Sequence, residues 1–373
     1  MDNSYTIIDY LKIRGDITFN ESAFNEIDSL IMCQLSYVDF DGLKIEGKKI
    51  EEIFNEYIHV HNIKEDLQRL SLISNNIYIL QLMASSNRFK GITIYNYVND
   101  INLEQEKQFS AYAAKLGLND YYIAFKGTDD TIVGWKEDLN MTYTIIPSQT
   151  AATKYLNNFY LKYLKRISIF SKLKSKITIR CGGHSKGGNI AIYGATHTNQ
   201  KMMNNIISVD NFDGPGFDQQ IINEIKSTVV YNKVTNYLPS GSVFGMLLNH
   251  NTRIRYVNTT INNMMQHSGL YWIVNGSKFD YANDLDESNK KILEDVNSIL
   301  EELSYKERKE LIDQFFDIFS NAGITNINDL SSNKYNTIIS SIQGLKSMNE
   351  KYRKVVLTLL TYIFKLNTNL PVK

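Results

Sequence analysis

One stretch, residues 176–195, limits what this chain can fold into more than any other. Its β-branched start at 177–179 is typical of a strand with packed side chains. A G-x-S-x-G sequence follows at 183–187, and then small and apolar residues that can pack a helix closely against a sheet. Side chains two positions either side of the serine would collide in such a sharp strand-to-helix turn, so glycine is required there. The stretch therefore predicts a nucleophile elbow that exposes the Ser185 hydroxyl above a sheet.

The elbow also predicts where an oxyanion would be held. The backbone N–H of Lys186, directly after the serine, is left free to donate to a developing oxyanion. Two glycines around a serine also occur in purely structural turns. The strand pattern before the motif and the helix pattern after it are what favour the catalytic interpretation.

The bulk composition excludes several classes of function. The 373 residues suffice for one large α/β domain, alone or with a smaller one. Because 40 Lys and Arg balance 40 Asp and Glu, we expect no nucleic-acid partner. Cys33 and Cys181 cannot form a disulfide framework and are expected to be small buried side chains. No Cys/His cluster has zinc spacing, so we expect no metal site, and nothing in the sequence implies an organic cofactor.

The chain shows no targeting or membrane-spanning signal. Its start lacks the basic stretch and apolar run of a signal peptide. No run of about 18 apolar residues is present to span a bilayer. We therefore expect no transmembrane segment and a cytoplasmic location.

The order of predicted elements indicates an α/β fold. Residues 1 to about 85 read mainly as helix, with apolar positions at helical spacing in 24–35 and 64–83. Further helices are predicted near 149–165 and 218–226. Besides the elbow strand, β-rich segments stand at 92–98, 108–113, 121–125, 206–209, 229–235 and 253–257, the last of which should be the final strand. This alternation predicts a mostly parallel sheet flanked by helices, with ligands at the carboxyl ends of its strands.

Three candidate catalytic residues each follow a predicted strand. Ser185, Asp213 and His267 occur in the chain order Ser…Asp…His of the α/β-hydrolases. His267 lies beyond the 253–257 strand and so at the catalytic edge, whereas His184 should be buried in the elbow and point the other way. Asp213 also suits a turn before Gly-Pro, and Asp210 is the reserve candidate for the acid.

Several segments together resemble the class 3 (fungal triacylglycerol) lipases. They are 123–128 with Trp135 and Asp138 following, 183–188, and a late His267 shortly before Trp272. The chain most resembles an uncharacterised bacterial lipase-like family whose domain has no assigned function. The N-terminal segments 8–12, 15–19 and 34–37 also resemble that family. The resemblance covers roughly residues 5 to 280. It implies an α/β-hydrolase fold and acyl-ester hydrolysis.

The resemblance also implies a second oxyanion donor. At several positions, however, this sequence departs from the pattern of those lipases. Thr128 matches the position whose backbone N–H would join that of Lys186, and Lys126 replaces the usual arginine. Lys186 stands where the fungal enzymes carry leucine. More seriously, the turn at 236–243, where those lipases have their catalytic aspartate, contains no acid. Asp213 is the substitute that a neighbouring strand end could supply.

From about residue 284 the pattern is helical, without a strand signal. This predicts a lipase-like α/β-hydrolase domain at 1–283 and a helical C-terminal extension at 284–373. The final helix carries one apolar face, made of Tyr352, Val355, Val356, Leu359, Leu360 and Ile363. Packing on the preceding helices is the favoured interpretation of this face. The alternative is peripheral contact with a membrane, assisted by Lys351, Arg353 and Lys354.

The sequence thus predicts a serine acyl-ester hydrolase acting on an acyl-ester or lipid substrate. Ser185 would attack, His267 would take its proton, and Asp213 would orient the imidazole. Two alternatives stay open. One is a non-catalytic lipid- or acyl-binding module that keeps the elbow as architecture, and the other is an acyltransferase that uses the same serine.

Overall fold

The computed structural model describes residues 4–62, 76–102, 104–129, 131–165, 176–262, 264–326, 329 and 333–368. Its centre is a nine-stranded sheet in the order β1-β2-β3-β4-β5-β6-β7-β8-β11, and β9 and β10 form a separate hairpin. The strands are β1 (Lys48–Lys49), β2 (Thr93–Asn102), β3 (Lys107–Gly117), β4 (Asp120–Phe125), β5 (Thr178–His184), β6 (Ile206–Phe212), β7 (Val234–Pro239), β8 (Arg253–Val257), β9 (Val274–Asn275), β10 (Lys278–Phe279) and β11 (Tyr281–Ala282).

Strands β4 to β8 run parallel and form the half of the sheet that positions the site. Strands β1 to β3 extend one edge in antiparallel fashion, and β11 pairs antiparallel with β8 at the other. In register, Phe125 of β4 lies beside Gly183 of β5, and His184 of β5 lies beside Phe212 of β6. The segments that leave these three strands therefore meet at one edge, as expected for parallel strands.

Helices flank the sheet, as predicted. They are α1 (Ile7–Arg14), α2 (Glu26–Leu35), α3 (Ile50–Val60), α4 (Asn76–Ser85), α5 (Ile132–Asn140), α6 (Pro147–Phe159), α7 (Lys186–His197), α8 (Gln200–Asn205), α9 (Gln219–Lys226), α10 (Glu287–Glu302), α11 (Tyr305–Asn321), α12 (Lys334–Ser347) and α13 (Glu350–Thr368). A π-helical turn at Tyr160–Leu164 continues α6. The predicted α/β class is confirmed, whereas residues 64–75 of the helical segment predicted at 64–83 lie outside the described residues.

Alternation along the strands divides the apolar residues between two faces of the sheet. Tyr122 of β4 packs in a core with the N-terminal helices, which contribute Ile27 and Leu30. Ile123, its neighbour, belongs to the core on the opposite face, together with Leu156 of α6. Helices on both faces cover the sheet because both faces are apolar.

One carboxylate joins the start of the chain to the far edge of the sheet. Glu26, the first residue of α2, accepts hydrogen bonds from the Phe279 backbone N–H at 2.9 Å and from the Tyr281 hydroxyl. It also accepts one from the Tyr237 hydroxyl at 3.2 Å. The N-terminal helices are therefore held by residues more than two hundred positions later in the sequence.

Two strand predictions were wrong. The strand expected at 229–235 begins only at Val234, because 231–233 form a 3-10 turn that follows the end of α9. Val229 is half-exposed, so its β-branched side chain does not belong to a packed strand. The 253–257 strand is not the last, since β9, β10 and β11 follow it. At two residues each, these strands are too short to give a sequence pattern.

The C-terminal region is helical, as predicted. The apolar face of α13 is buried in a third core formed with α10 and α11, to which it contributes Tyr352, Val355, Val356 and Leu360. Packing of this face on the preceding helices is therefore confirmed, whereas its contact with a membrane is not shown. The side chain of Ile363 lies outside the described residues. Ile132 and Leu247 contribute to the same core. A domain boundary at 283/284 stays a prediction, because this core unites residues from both sides of it.

Candidate active site

The segment 183–187 forms the sharp turn that the sequence predicts. Ser185 lies between β5 and α7 with φ 57° and ψ −136°, a conformation that costs energy in a residue other than glycine. A Cβ on Gly183 would overlap the carbonyl group of Gly187, and a Cβ on Gly187 would overlap the Phe125 carbonyl oxygen. Glycine is therefore required at both positions. Strand, turn and helix together form the elbow of an α/β-hydrolase fold, which confirms the predicted fold class.

Asp213 and His267 are in direct contact. The carboxylate oxygen Oδ2 of Asp213 lies 2.6 Å from Nδ1 of His267. Because a carboxylate accepts this bond, the imidazole carries its proton on Nδ1 and has its lone pair on Nε2. The His267 side chain is 20% exposed and that of Asp213 only 1%. This is the arrangement in which a buried acid orients a partly accessible base.

The turn after β7 contributes a hydroxyl to this acid. Ser242 donates a hydrogen bond to Oδ1 of Asp213, so both carboxylate oxygens have a partner. Burial raises the pKa of Asp213, while His267 and Ser242 act in the opposite direction. The turn that lacks an acid in the sequence thus supports the acid of the neighbouring strand.

The reserve candidate, Asp210, lies in a different environment. Its carboxylate accepts a hydrogen bond of 2.7 Å from Ser29 on α2, under the sheet. Burial raises the pKa of Asp210 to about 6. The structure therefore brings Asp213 to His267 and holds Asp210 in the core beneath the N-terminal helices.

The loop that carries His267 is held by hydrogen bonds to its neighbours. The Gln266 side chain accepts from the Gly241 N–H at 3.2 Å and donates to the Gly241 carbonyl at 2.9 Å. Trp272 Nε1 donates to the Gln266 carbonyl at 2.8 Å. The aromatic residue after His267 therefore fixes the backbone directly before the histidine.

The expectation that His184 points away from the site was wrong. Its Nε2 lies 2.6 Å from the His267 carbonyl oxygen, and the two rings have centroids 4.7 Å apart. Since a carbonyl only accepts, Nε2 carries the proton, and Nδ1 accepts from the Tyr37 hydroxyl at 2.8 Å. Burial and the proximity of His267 lower the pKa of His184 to about 3, so the ring is neutral. The side chain of His184 is thus held by Tyr37, which follows α2, and by the loop that carries His267.

The turn after β4, which the resemblance predicts to hold a second oxyanion donor, lies next to the elbow. Thr128 Oγ1 donates to the Asp138 carboxylate at 2.6 Å, which fixes the turn against α5. Burial raises the pKa of Asp138 to about 7, although Lys186 and Thr128 both act to lower it. Both residues line the same cavity as Ser185.

The side chain of Lys186 takes no part in this cavity and forms a buried ion pair. Its Nζ lies 2.6 Å from Oε2 of Glu137 on α5 and donates to the Gln108 carbonyl at 3.0 Å. Neither side chain of the pair is exposed. The residue whose N–H follows the serine is therefore fixed to both β3 and α5.

Ser185 and His267 open on one cavity of about 110 Å³. Within the described residues the Ser185 hydroxyl has no hydrogen-bond partner. Most of the wall is apolar and includes Trp135, Phe244, Leu247, Phe315 and Leu359. The cavity can enclose an apolar group next to the serine.

Sequence reasoning missed several residues of this site. Tyr37, Ser242 and Phe315 lie far apart in the chain, and each contacts the site through its position in the fold. Two of them had a signal in the sequence: Ser242 stands in the turn after β7 where an acid was expected, and Tyr37 ends the segment 34–37 that shares the resemblance.

Neither a membrane-spanning helix nor a cluster of metal ligands is present within the described residues. No helix in the described ranges is long and apolar enough to cross a membrane. The same residues contain no group of three or more His, Cys, Asp or Glu side chains that could hold a metal ion.

Comparison with known proteins gives a family match and a set of similar structures. A model of the family described as Mbeg1-like matches residues 83–317, which is more than half of the chain. This range starts later than residue 5 and continues past 280 into α11, so it differs at both ends from the expected extent of the resemblance. A search of curated proteins finds no match.

Solved structures similar to this chain include several fungal proteins at low identity. One is the Rhizomucor miehei lipase propeptide complex, with 16% identity, a TM-score of 0.35 and coverage of 52% of this chain and 64% of that chain. Another is an MDLA mutant from Penicillium cyclopium, with 14% identity, a TM-score of 0.41 and coverage of 68% of this chain and 82% of that chain. A third is the mono- and diacylglycerol lipase from Aspergillus oryzae, with 13% identity, a TM-score of 0.40 and coverage of 75% of this chain and 88% of that chain.

Proposed function

We propose that this chain, which belongs to the Mbeg1-like family, is a serine hydrolase that cleaves acyl esters. The observation that carries the proposal is the 2.6 Å contact between Asp213 and His267 at the cavity that Ser185 also lines. A buried carboxylate, an imidazole and a serine on a strained elbow are the three groups that acyl transfer by a triad requires.

In the proposed reaction, Oγ of Ser185 attacks the ester carbonyl carbon and its proton passes to Nε2 of His267. The carbonyl π electrons move to oxygen, and Asp213 stabilises the imidazolium through Nδ1–H. Collapse of the tetrahedral intermediate expels the alcohol, which takes the proton from Nε2 and leaves an acyl-serine. A water activated by Nε2 then attacks that ester, releasing the acid and restoring Ser185.

The proposed oxyanion donors are the backbone N–H groups of Lys186 and Thr128. Lys186 is the first residue of α7, so its N–H is one of those that have no partner within the helix. The hydrogen bond from Thr128 to Asp138 and the ion pair from Lys186 to Glu137 hold both turns in place. Fixed donors of this kind need no reorganisation as charge develops, which is the basis of their effect on rate.

An active-site label tests the proposal directly. Wild-type protein should react with a fluorophosphonate at one site per chain and hydrolyse p-nitrophenyl esters, and Ser185→Ala should do neither. Ser240→Ala is a matched control, because this serine also follows a parallel strand and is partly exposed. Equal ester turnover by pure Ser185→Ala and wild type would refute the triad.

The same experiment separates the alternatives. A binding module would bind esters but show neither labelling nor turnover. An acyltransferase would be labelled at Ser185 yet release acid slowly until an alcohol or thiol acceptor is added, because the two activities share the acyl-serine and differ in its acceptor.

A further inference from the structure

The C-terminal helices supply part of the wall of the catalytic cavity. Phe315 on α11 and Leu359 on α13 line it together with Ser185 and His267. Phe315 is 2% exposed and belongs to the core that α10, α11 and α13 share. A molecule bound at Ser185 therefore contacts side chains from the last ninety residues of the chain.

A second, smaller cavity of about 20 Å³ lies behind this wall. The partition between the two cavities is formed by the five residues that line both, namely Leu139, Thr142, Leu247, Phe315 and Leu359. The remaining lining of the second cavity is almost entirely aliphatic. Apolar cavities of this kind stay dry and take apolar ligands.

Two of the five buried side-chain polar atoms that have no partner within the described residues belong to residues lining the first cavity, and none belongs to the lining of the second. Gln34 Nε2 and Asn76 Oδ1 are buried, and neither has a hydrogen-bond partner within the described residues. An unpaired buried polar atom is unfavourable, so a bound molecule with polar groups would offset part of that penalty. An ester at Ser185 would then place its polar portion near Gln34 and its apolar portion towards Phe315.

We propose that the C-terminal helices form the acyl-binding site and that Phe315 limits the length of the acyl chain, an inference that rests on the proposed ester hydrolysis. The cavity of about 110 Å³ is somewhat smaller than an engineered apolar cavity of about 150 Å³ that binds benzene. The site therefore accepts a short acyl chain of about four to six carbons. Truncating Phe315 opens the way into the second cavity.

The experiment measures kcat/KM for p-nitrophenyl esters with acyl chains of two to twelve carbons. The wild type should be most active on the short esters. In Phe315→Ala the ratio of kcat/KM for the eight-carbon ester to that for the four-carbon ester should rise about tenfold or more, since one methylene in a fitted pocket changes specificity about 10–200-fold. Phe315→Leu, a milder truncation, should shift the ratio in the same direction and guards against unfolding of the alanine variant.

Ile318→Ala is the matched control for a lost core side chain. Ile318 lies on the same helix, is 1% exposed and faces Gly344 of α12, outside the lining of both cavities. It should keep the wild-type ratio. If folded Phe315→Ala and Phe315→Leu also keep that ratio while the wild type is labelled and active, the acyl-site inference is overturned and the proposed function stands. Absence of both labelling and turnover in the wild type overturns the two together.

Discussion

Replacing Lys186 by methionine should destabilise the protein far more than a surface lysine substitution. The change keeps the length of the side chain and removes its charge. It leaves the Glu137 carboxylate buried, with donors at Ser148 Oγ (2.6 Å), Ser148 N (3.3 Å) and Gln108 N (3.1 Å). Removing one partner of a buried ion pair costs about 3–5 kcal/mol, because the remaining charge is uncompensated. Since three donors still reach Glu137, we expect a loss near the lower end, about 3 kcal/mol.

The free energy of unfolding from urea titration at neutral pH measures this loss. Lys354→Met is the matched control, because Lys354 forms an exposed ion pair with Asp295 at 3.0 Å. It should lose at most about 1 kcal/mol. The double variant Lys186→Met/Glu137→Gln removes both charges, while the new side-chain amide can still accept from Ser148. It should be more stable than Lys186→Met alone by about 2 kcal/mol.

Two results would contradict this reasoning. If Lys186→Met costs no more than Lys354→Met, the buried pair makes no net contribution. If the double variant is as unstable as the single one, the loss comes from packing and from the hydrogen bond to the Gln108 carbonyl, and uncompensated charge is not its cause.

Three further predictions follow from the site. Asp213→Asn should lower kcat for ester hydrolysis by up to about 10⁴, because the amide disturbs the His267 tautomer. Asp210→Asn should change kcat little, and steady-state kinetics of the two variants and the wild type measure the difference. The pKa of Asp138 is raised to about 7, so the folded protein keeps this carboxyl neutral at pH values where the unfolded chain ionises it, and stability falls as pH rises. Relative to Asp138→Asn, the free energy of unfolding of the wild type should fall by up to about 1.4 kcal/mol per pH unit between about pH 4 and 7. Urea titrations that give the same difference between the two proteins at pH 5 and pH 7 would contradict this. Gly188→Ala should cost about 1–3 kcal/mol in thermal or urea unfolding, because its Cβ would overlap the amide oxygen of Asn211, and a wild-type value would show that this amide can move aside.

The elbow and the parallel sheet were predictable because their signals are local. Glycines two positions either side of Ser185, with a β-branched run before them and small residues after, specify strand, turn and helix within twenty residues. Parallel strands then place their carboxyl ends at one edge, which brought Asp213 and His267 together. The sequence favoured Asp213 over Asp210, and the structure shows a physical reason: β6 extends to Phe212, so Asp210 stays within the strand while Asp213 reaches His267.

The surroundings of the catalytic groups were not predictable from the sequence. His184 was misplaced because its direction depends on Tyr37, 147 positions earlier, and on the His267 carbonyl. The role of Lys186 was missed since its partner, Glu137, lies on a helix 49 residues away. The periodicity of α11 marks Phe315 as a core residue and gives no indication that this core borders the catalytic cavity.

The contacts of Glu26 have a consequence for how this chain folds during synthesis. Glu26 and the Phe279 N–H that donates to it are 253 residues apart. At about 5–20 residues per second, a ribosome needs on the order of ten to fifty seconds to add the intervening chain. Throughout that time α2 exists without the edge of the sheet that holds its first residue, and its apolar side chains Ile27, Leu30 and Ile31 have only part of their final core. The nascent chain is thus most exposed to aggregation before β10 and β11 emerge, and a chaperone that binds the N-terminal helices would act in this interval.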